Sequence, residues 1–299
     1  IASSSIRTLP EFDPQAIANT AWAVSKLLVE HPPLMNALSS SAIPTITDFR
    51  TQNLSNLAWA FATLFLMDDP LCHAIAASAR RIITTADAQG LSNTAWSFAR
   101  LEVRHEPLMA AIASASIPLR SDFTGQNIAN TAWSCANLEI VPAPLLHALA
   151  AAAIAPHSQL DPQSLANTVW AYAALEWRHL PLIEAIASQS LPKMTSLTAC
   201  ELSSSAWAYA RLGCRHVPLL DATAASASAQ LSELTFLDIT NTAWALEALT
   251  IPAGKRLRAL VNHCGLEGFV AEAVADVRSH GVELIHFANA SALHRRFSR

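Results

Sequence analysis

Hydrophobic, small and polar residues follow one another in a block that the chain states seven times, 37 residues apart and without insertion or deletion. The block reads IANTAW at Ile17–Trp22 and returns as LSNLAW, LSNTAW, IANTAW, LANTVW, LSSSAW and ITNTAW, ending on Trp22, Trp59, Trp96, Trp133, Trp170, Trp207 and Trp244. A fixed period between about 20 and 50 residues marks a solenoid, whose units bury their apolar sides only by stacking on one another. Tryptophan serves below as position 0 of each repeat.

Position −9 is Asp13, Arg50, Asp87, Thr124, Asp161, Thr198 or Thr235. Six of these seven are good helix N-caps. The residue before the cap (Phe12, Phe49, Ala86, Phe123, Leu160, Leu197, Leu234) and position −5 (Ile17, Leu54, Leu91, Ile128, Leu165, Leu202, Ile239) have the spacing of a hydrophobic staple. A helix A is therefore expected from position −9 through the leucine at +5, ending before the prolines at +11: Pro33, Pro70, Pro107, Pro144, Pro181 and Pro218. A second apolar segment follows, such as PLMAAIASAS from Pro107, with apolar residues three and four apart. This is helix B, and Pro44, Pro118 and Pro192 mark its end. The expected fold is all-α: an αα-hairpin solenoid of seven 37-residue repeats over residues 10–264, followed at 265–299 by a helical cap or the start of a further element.

At about 100° per residue, positions −5, +2 and +5 of helix A face the core and the alanines at −1 and +3 let the next helix approach. The opposite arc is polar. It holds Gln15, Gln52, Gln89, Gln126 and Gln163 at −7, and Asn19, Asn56, Asn93, Asn130, Asn167 and Asn241 at −3. Position +4 is Lys26, Thr63, Arg100, Asn137, Ala174, Arg211 or Ala248, and +8 supplies Arg104, Arg178 and Arg215. Stacking would align these side chains into a ribbon. An invariant asparagine suits an inter-repeat hydrogen-bond ladder as well as a uniform ligand contact, and the tryptophans suit wedges between neighbouring A helices. Positions +4 and −6 (Ala16, Asn53, Gly90, Asn127, Ser164, Glu201, Asp238) change from repeat to repeat, as a unit-by-unit readout of single-stranded RNA would require, or as drift on a solvated face would allow. The histidines at +9 (His31, His105, His179, His216) are expected to cap the negative end of helix A as cations, with phosphate contact as the alternative.

Composition narrows the function. The chain is 52% hydrophobic with only seven Gly, which favours helix, and its net charge of −4 argues mildly against nucleic acid, where a generic coat would be strongly basic, while leaving room for a basic stripe. The five cysteines (Cys72, Cys135, Cys200, Cys214, Cys264) form no C-x-x-C pair and are expected as reduced, mostly buried thiols. No apolar run approaches the roughly 20 residues that cross a bilayer. No catalytic or phosphate-loop motif is present. The reading is a non-enzyme without cofactor, metal or small-molecule substrate. A chain opening on Ile1 is expected to be a piece or a processed form of a longer one.

The phrase L-x-N-x-A-W-A-[FY]-A-x-L with this period resembles the heptatricopeptide-type repeats, relatives of the octotricopeptide and FAST-kinase-like RNA-binding proteins of mitochondria and plastids. The resemblance covers about Phe12 to Cys264. It implies a solenoid that binds organellar RNA during processing, stabilisation or ribosome assembly, with other proteins of an organellar complex as further partners. The RAP module that often ends such proteins is not evident in the tail. The resulting expectation is sequence-selective binding of single-stranded RNA, about one nucleotide per repeat. Lys26, Arg100, Asn137 and Arg211 are the first contacts, Arg104, Arg178 and Arg215 the second, and the −3 asparagines contribute uniformly. The alternative is an armadillo-like scaffold whose asparagines hold a peptide backbone.

Overall fold

The computed structural model describes residues 12–29, 31–155, 158–230 and 233–249. The expected tail element at 265–299 and the second helix of the seventh repeat lie outside these. Among the described residues there are thirteen α-helices and no strand. The A helices are α1 (Pro14–Lys26), α3 (Thr51–Thr63), α5 (Ala88–Arg100), α7 (Gly125–Asn137), α9 (Pro162–Ala174), α11 (Ala199–Arg211) and α13 (Phe236–Ala248). The B helices are α2 (Pro32–Thr45), α4 (Asp69–Arg81), α6 (Glu106–Ser116), α8 (Ala143–Ile154), α10 (Leu180–Ser190) and α12 (Val217–Ala229). The chain is an all-α helical-repeat solenoid.

Two compact units divide it. The first comprises Ile1–Phe123 with Asn137–Leu149, and the second Thr124–Ala136 with Ala150–Arg299. In each, the A helices of successive repeats make the largest contacts: α1 with α3 and α3 with α5 in the first unit, α9 with α11 and α11 with α13 in the second. Small residues make this possible. Position −4 (Ala18, Ser55, Ser92, Ala129, Ala166, Ser203, Thr240) and position −1 (Ala21, Ala58, Ala95, Ala132, Val169, Ala206, Ala243) are buried in every repeat. The −5 aliphatics are buried with them. An A helix is therefore covered on most sides, and the stripe through −7, −3 and 0 is left facing outward except at Ser204, Trp207 and Trp244, which are buried.

The +5 leucines keep their expected core role in part: Leu138, Leu212 and Leu249 are buried, Leu64, Leu101 and Leu175 are half-buried, and Leu27 is 75% exposed. It is the C-cap, and the residue after it explains the turn. Position +6 takes a positive φ in six repeats: Leu28 (50°), Phe65 (53°), Glu102 (58°), Glu139 (52°), Glu176 (53°) and Gly213 (63°). The next N–H reaches back to the carbonyl at +2, as in Val103 to Phe98 at 2.8 Å and Trp177 to Tyr172 at 2.8 Å, which closes a Schellman motif. Helix α2 runs through Pro44 to Thr45 instead of stopping before the proline. Short 3-10 turns then lead to the next repeat. They are pinned by the following B helix through Ser78 Oγ to the Ile46 carbonyl at 2.9 Å and Gln230 Nε2 to the Leu197 carbonyl at 3.0 Å.

Candidate nucleic-acid interface

The start of each A helix accounts for the variation at −6. Where position −9 is aspartate, its carboxylate accepts from the backbone N–H at −6: Asp13 from Ala16 (2.7 Å), Asp87 from Gly90 (2.7 Å), Asp161 from Ser164 (2.8 Å). Residue −6 is then small. Where −9 is Arg or Thr, residue −6 carries the acceptor itself and bonds back to the cap N–H: Asn53 to Arg50 (3.1 Å), Asn127 to Thr124 (3.1 Å), Glu201 to Thr198 (2.8 Å), Asp238 to Thr235 (2.9 Å). The two positions compensate one another, so the variation at −6 records who caps the helix.

Position +4 is also spent within the fold. Arg100, expected among the first contacts, is only 5% exposed. Its Nε donates to the Ala62 carbonyl of the preceding A helix at 3.2 Å, and its guanidinium lies 3.9 Å from the centre of the Phe65 ring and 5.2 Å from that of Trp96. Burial depresses its affinity for the proton. The Arg211 side chain, also 5% exposed, pairs with Glu176 at 2.6 Å. Phe65 and Glu176 both occupy +6 of the preceding repeat, so residue +4 is matched to the neighbouring repeat's turn. These two arginines are withdrawn from solvent by packing against the previous hairpin, which corrects their expected role as open contacts. Asn137 is half-buried and engaged. Lys26 is exposed, its Nζ 5.8 Å from the Trp22 ring centre and 5.5 Å from that of Trp59.

The +8 arginines remain open: Arg104, Arg178 and Arg215 are exposed, and Arg104 pairs with Glu106 at 3.1 Å. The neighbouring histidines act in a way the sequence reading did not foresee. Nδ1 of His31, His105, His179 and His216 accepts the N–H three residues on, at 3.1–3.2 Å, so each is the N-cap of helix B, where a cap on the end of helix A was expected. Asp68 does the same work in the second repeat, accepting from Leu71 at 3.0 Å.

What remains is the amide row. Asn19 is exposed, and Asn56, Asn93, Asn130, Asn167 and Asn241 are half-buried; the five −7 glutamines are exposed. Apart from the half-buried Thr20, every residue between −5 and −1 except −3 is buried, so the fold itself holds the −3 asparagines outward. None of these asparagine or glutamine side chains has a hydrogen-bond partner among the described residues, and no inter-repeat ladder forms there. Between the first turns of α1 and α3, Gln15, Asn19, Gln52 and Asn56 line a polar depression of about 340 Å³, with Asp13 and Arg50 at its sides.

Next along the stripe come the tryptophans. Trp59 and Trp96 stack in the first unit with ring centres 6.5 Å apart and planes 28° apart; Trp170 and Trp207 lie 6.4 Å and 31° apart in the second. Trp22 is 42% exposed, whereas Trp207 and Trp244 are buried with their indole N–H groups unpaired. Among the described residues no cluster of three or more His, Cys, Asp or Glu could hold a metal ion, and no helix is long and apolar enough to cross a membrane.

Stacked helical hairpins that expose a repeated row of unpartnered amides beside half-exposed indoles define a class: helical-repeat binding proteins that offer one equivalent surface per repeat. Within that class the chain belongs to the family of the RNA-editing substrate-binding complex 6 protein, whose family model matches residues 11–217. The family places it, at a coarse level, among proteins of RNA processing. No curated protein matches the chain.

Proposed function

We propose that the chain binds single-stranded RNA along the −7/−3/0 stripe of its A helices, about one nucleotide per repeat within each unit, as part of an RNA-editing assembly. The observation that carries this is the row of asparagines at −3. Carboxamides held at half-buried positions ordinarily find a partner in the fold. Asn56, Asn93, Asn130, Asn167 and Asn241 have none among the described residues, the exposed Asn19 continues their series, and the tryptophans still exposed beside them offer faces on which a base can stack. Exposed Lys26, Arg104, Arg178 and Arg215 supply the phosphate contacts. The resemblance to heptatricopeptide-type repeats supports the same reading, and with the family it favours a mitochondrial setting. The chain acts by holding RNA and neighbouring proteins, without catalysis of its own.

The triple variant Asn56→Ala, Asn93→Ala, Asn167→Ala tests it. Three lost hydrogen bonds, at about 1 kcal/mol each, should weaken RNA binding by roughly 100-fold in fluorescence anisotropy while the melting temperature holds. Unchanged affinity would remove the stripe from the site.

A second reading has one observation in its favour. Leu27, Leu28 and Val29 are exposed next to Trp22, an apolar run suited to a protein partner. Binding to that run would resist salt, whereas contacts to phosphate weaken as salt rises.

A further inference from the structure

We infer that RNA binding at this stripe is indifferent to base sequence: the chain accepts any unpaired strand and discriminates by single-strandedness alone. The inference rests on the proposed RNA-binding reading and concerns what that site can distinguish.

A readout of sequence needs side chains that differ between repeats and are free to meet a base. At both varying positions of helix A the side chains mostly fail the second condition, with the exposed Lys26 at +4 the exception. The side chains at −6 trade the capping bond with −9, as Asn53 with Arg50 and Glu201 with Thr198 show. The arginines at +4 are committed to the preceding repeat, Arg100 against Phe65 and the Ala62 carbonyl, Arg211 against Glu176. The free positions fail the first condition instead: −3 is asparagine in six repeats and −7 is glutamine in five. Along the −7/−3/0 stripe availability comes without variation, and the exposed side chains that do vary beside it, Lys26, Arg104, Arg178 and Arg215, are cations suited to phosphate.

The chemistry of the remaining group completes the argument. A carboxamide carries a donor and an acceptor side by side and can turn over to exchange them. Adenine and cytosine each present an exocyclic amino group beside a ring nitrogen acceptor. Uracil and guanine each present a ring N–H beside a carbonyl. One carboxamide therefore pairs with an edge of any of the four bases, in one orientation or the other. The indole faces next to it stack on any base. A duplex offers neither free Watson–Crick edges nor open base faces, so it is refused.

The test uses the full chain and labelled RNAs of roughly 12 nucleotides, longer than one nucleotide per repeat requires: oligo(A), oligo(U), oligo(C), a mixed unstructured sequence and a perfect duplex. Single strands should bind within about fivefold of one another, and the duplex at least tenfold more weakly. A tenfold preference for one base, or equal binding of the duplex, overturns the inference while the RNA-binding reading survives. Failure of every strand to bind defeats both. Arg211→Met keeps the apolar stem and removes the charge. It should leave the ranking of the RNAs unchanged; a new ranking would return readout to position +4 and overturn the inference.

Discussion

Arg100 and Arg211 show what one residue can and cannot disclose in sequence. Arginine on the polar arc of a helix reads as a solvated cation, because a guanidinium is rarely buried. It is buried here because the preceding repeat provides at its +6 turn a ring for one arginine and a carboxylate for the other. Neither partner is visible from the helix alone; the pairing is between residues 35 apart. Arg100→Ala removes the guanidinium that lies over Phe65 and one of the two donors to the Ala62 carbonyl, the Phe65 N–H remaining. We expect a loss of about 2 kcal/mol in denaturant unfolding, from packing, cation–π attraction and the missing hydrogen bond together. Arg104→Ala, at an exposed site, should change stability by less than about 0.5 kcal/mol. Equal effects of the two would contradict the burial described for Arg100.

At the scale of the element, the helices were legible and their ends only partly so. The 37-residue period, the −9 cap and the +11 proline fix where A and B run, because capping and proline act through local geometry. The turn between them escaped notice because its left-handed position holds Leu, Phe or Glu in five repeats, with Gly213 alone obeying the usual preference. The role of the histidines escaped for a related reason. At one position they can end helix A as cations or begin helix B as acceptors, and only the backbone N–H donated to Nδ1 decides. Two measurements follow from these ends. His105→Ala should cost about 1 kcal/mol of stability, while His105→Asp, which imitates Asp68, should cost almost nothing. Leu28→Gly relieves a left-handed leucine whose side chain is exposed, and should stabilise by about 0.5–1 kcal/mol. A melting temperature lowered by that glycine would show that the leucine side chain matters more than its strained backbone.

At the scale of the whole molecule, two buried thiols set an alkaline limit. Burial pushes Cys72 from 9.0 up to about 11 and Cys135 from 9.0 up to about 12. Both are neutral in either state below pH 9, so stability is level there. Above that, the unfolded chain loses its thiol protons while the folded one keeps them, and the equilibrium moves toward unfolding until about pH 11 to 12. Urea midpoints should stay flat from neutrality to pH 9 and then fall, and Cys135→Ser should shallow the fall if it does not prevent folding.

Charge sets the other whole-molecule property. The chain carries −4 overall, and its favoured stripe is lined by amides instead of ammonium or guanidinium groups. With Arg100 and Arg211 engaged inside the fold, Lys26, Arg104, Arg178 and Arg215 are the candidate contacts left for phosphate. Each neutralised phosphate of a single strand contributes about −0.7 to the slope of log affinity against log salt, so four give a slope no steeper than about −3. Amide hydrogen bonds and stacking, which release no counterions, must supply the rest of the affinity. Raising salt from 50 to 200 mM should therefore weaken RNA binding by at most roughly 60-fold, and the triple variant Arg104→Ala, Arg178→Ala, Arg215→Ala should flatten the slope to about −0.7. A much steeper slope in the unaltered chain would mean that phosphates are held elsewhere, on cations outside the amide stripe, and would move the interface away from helix A.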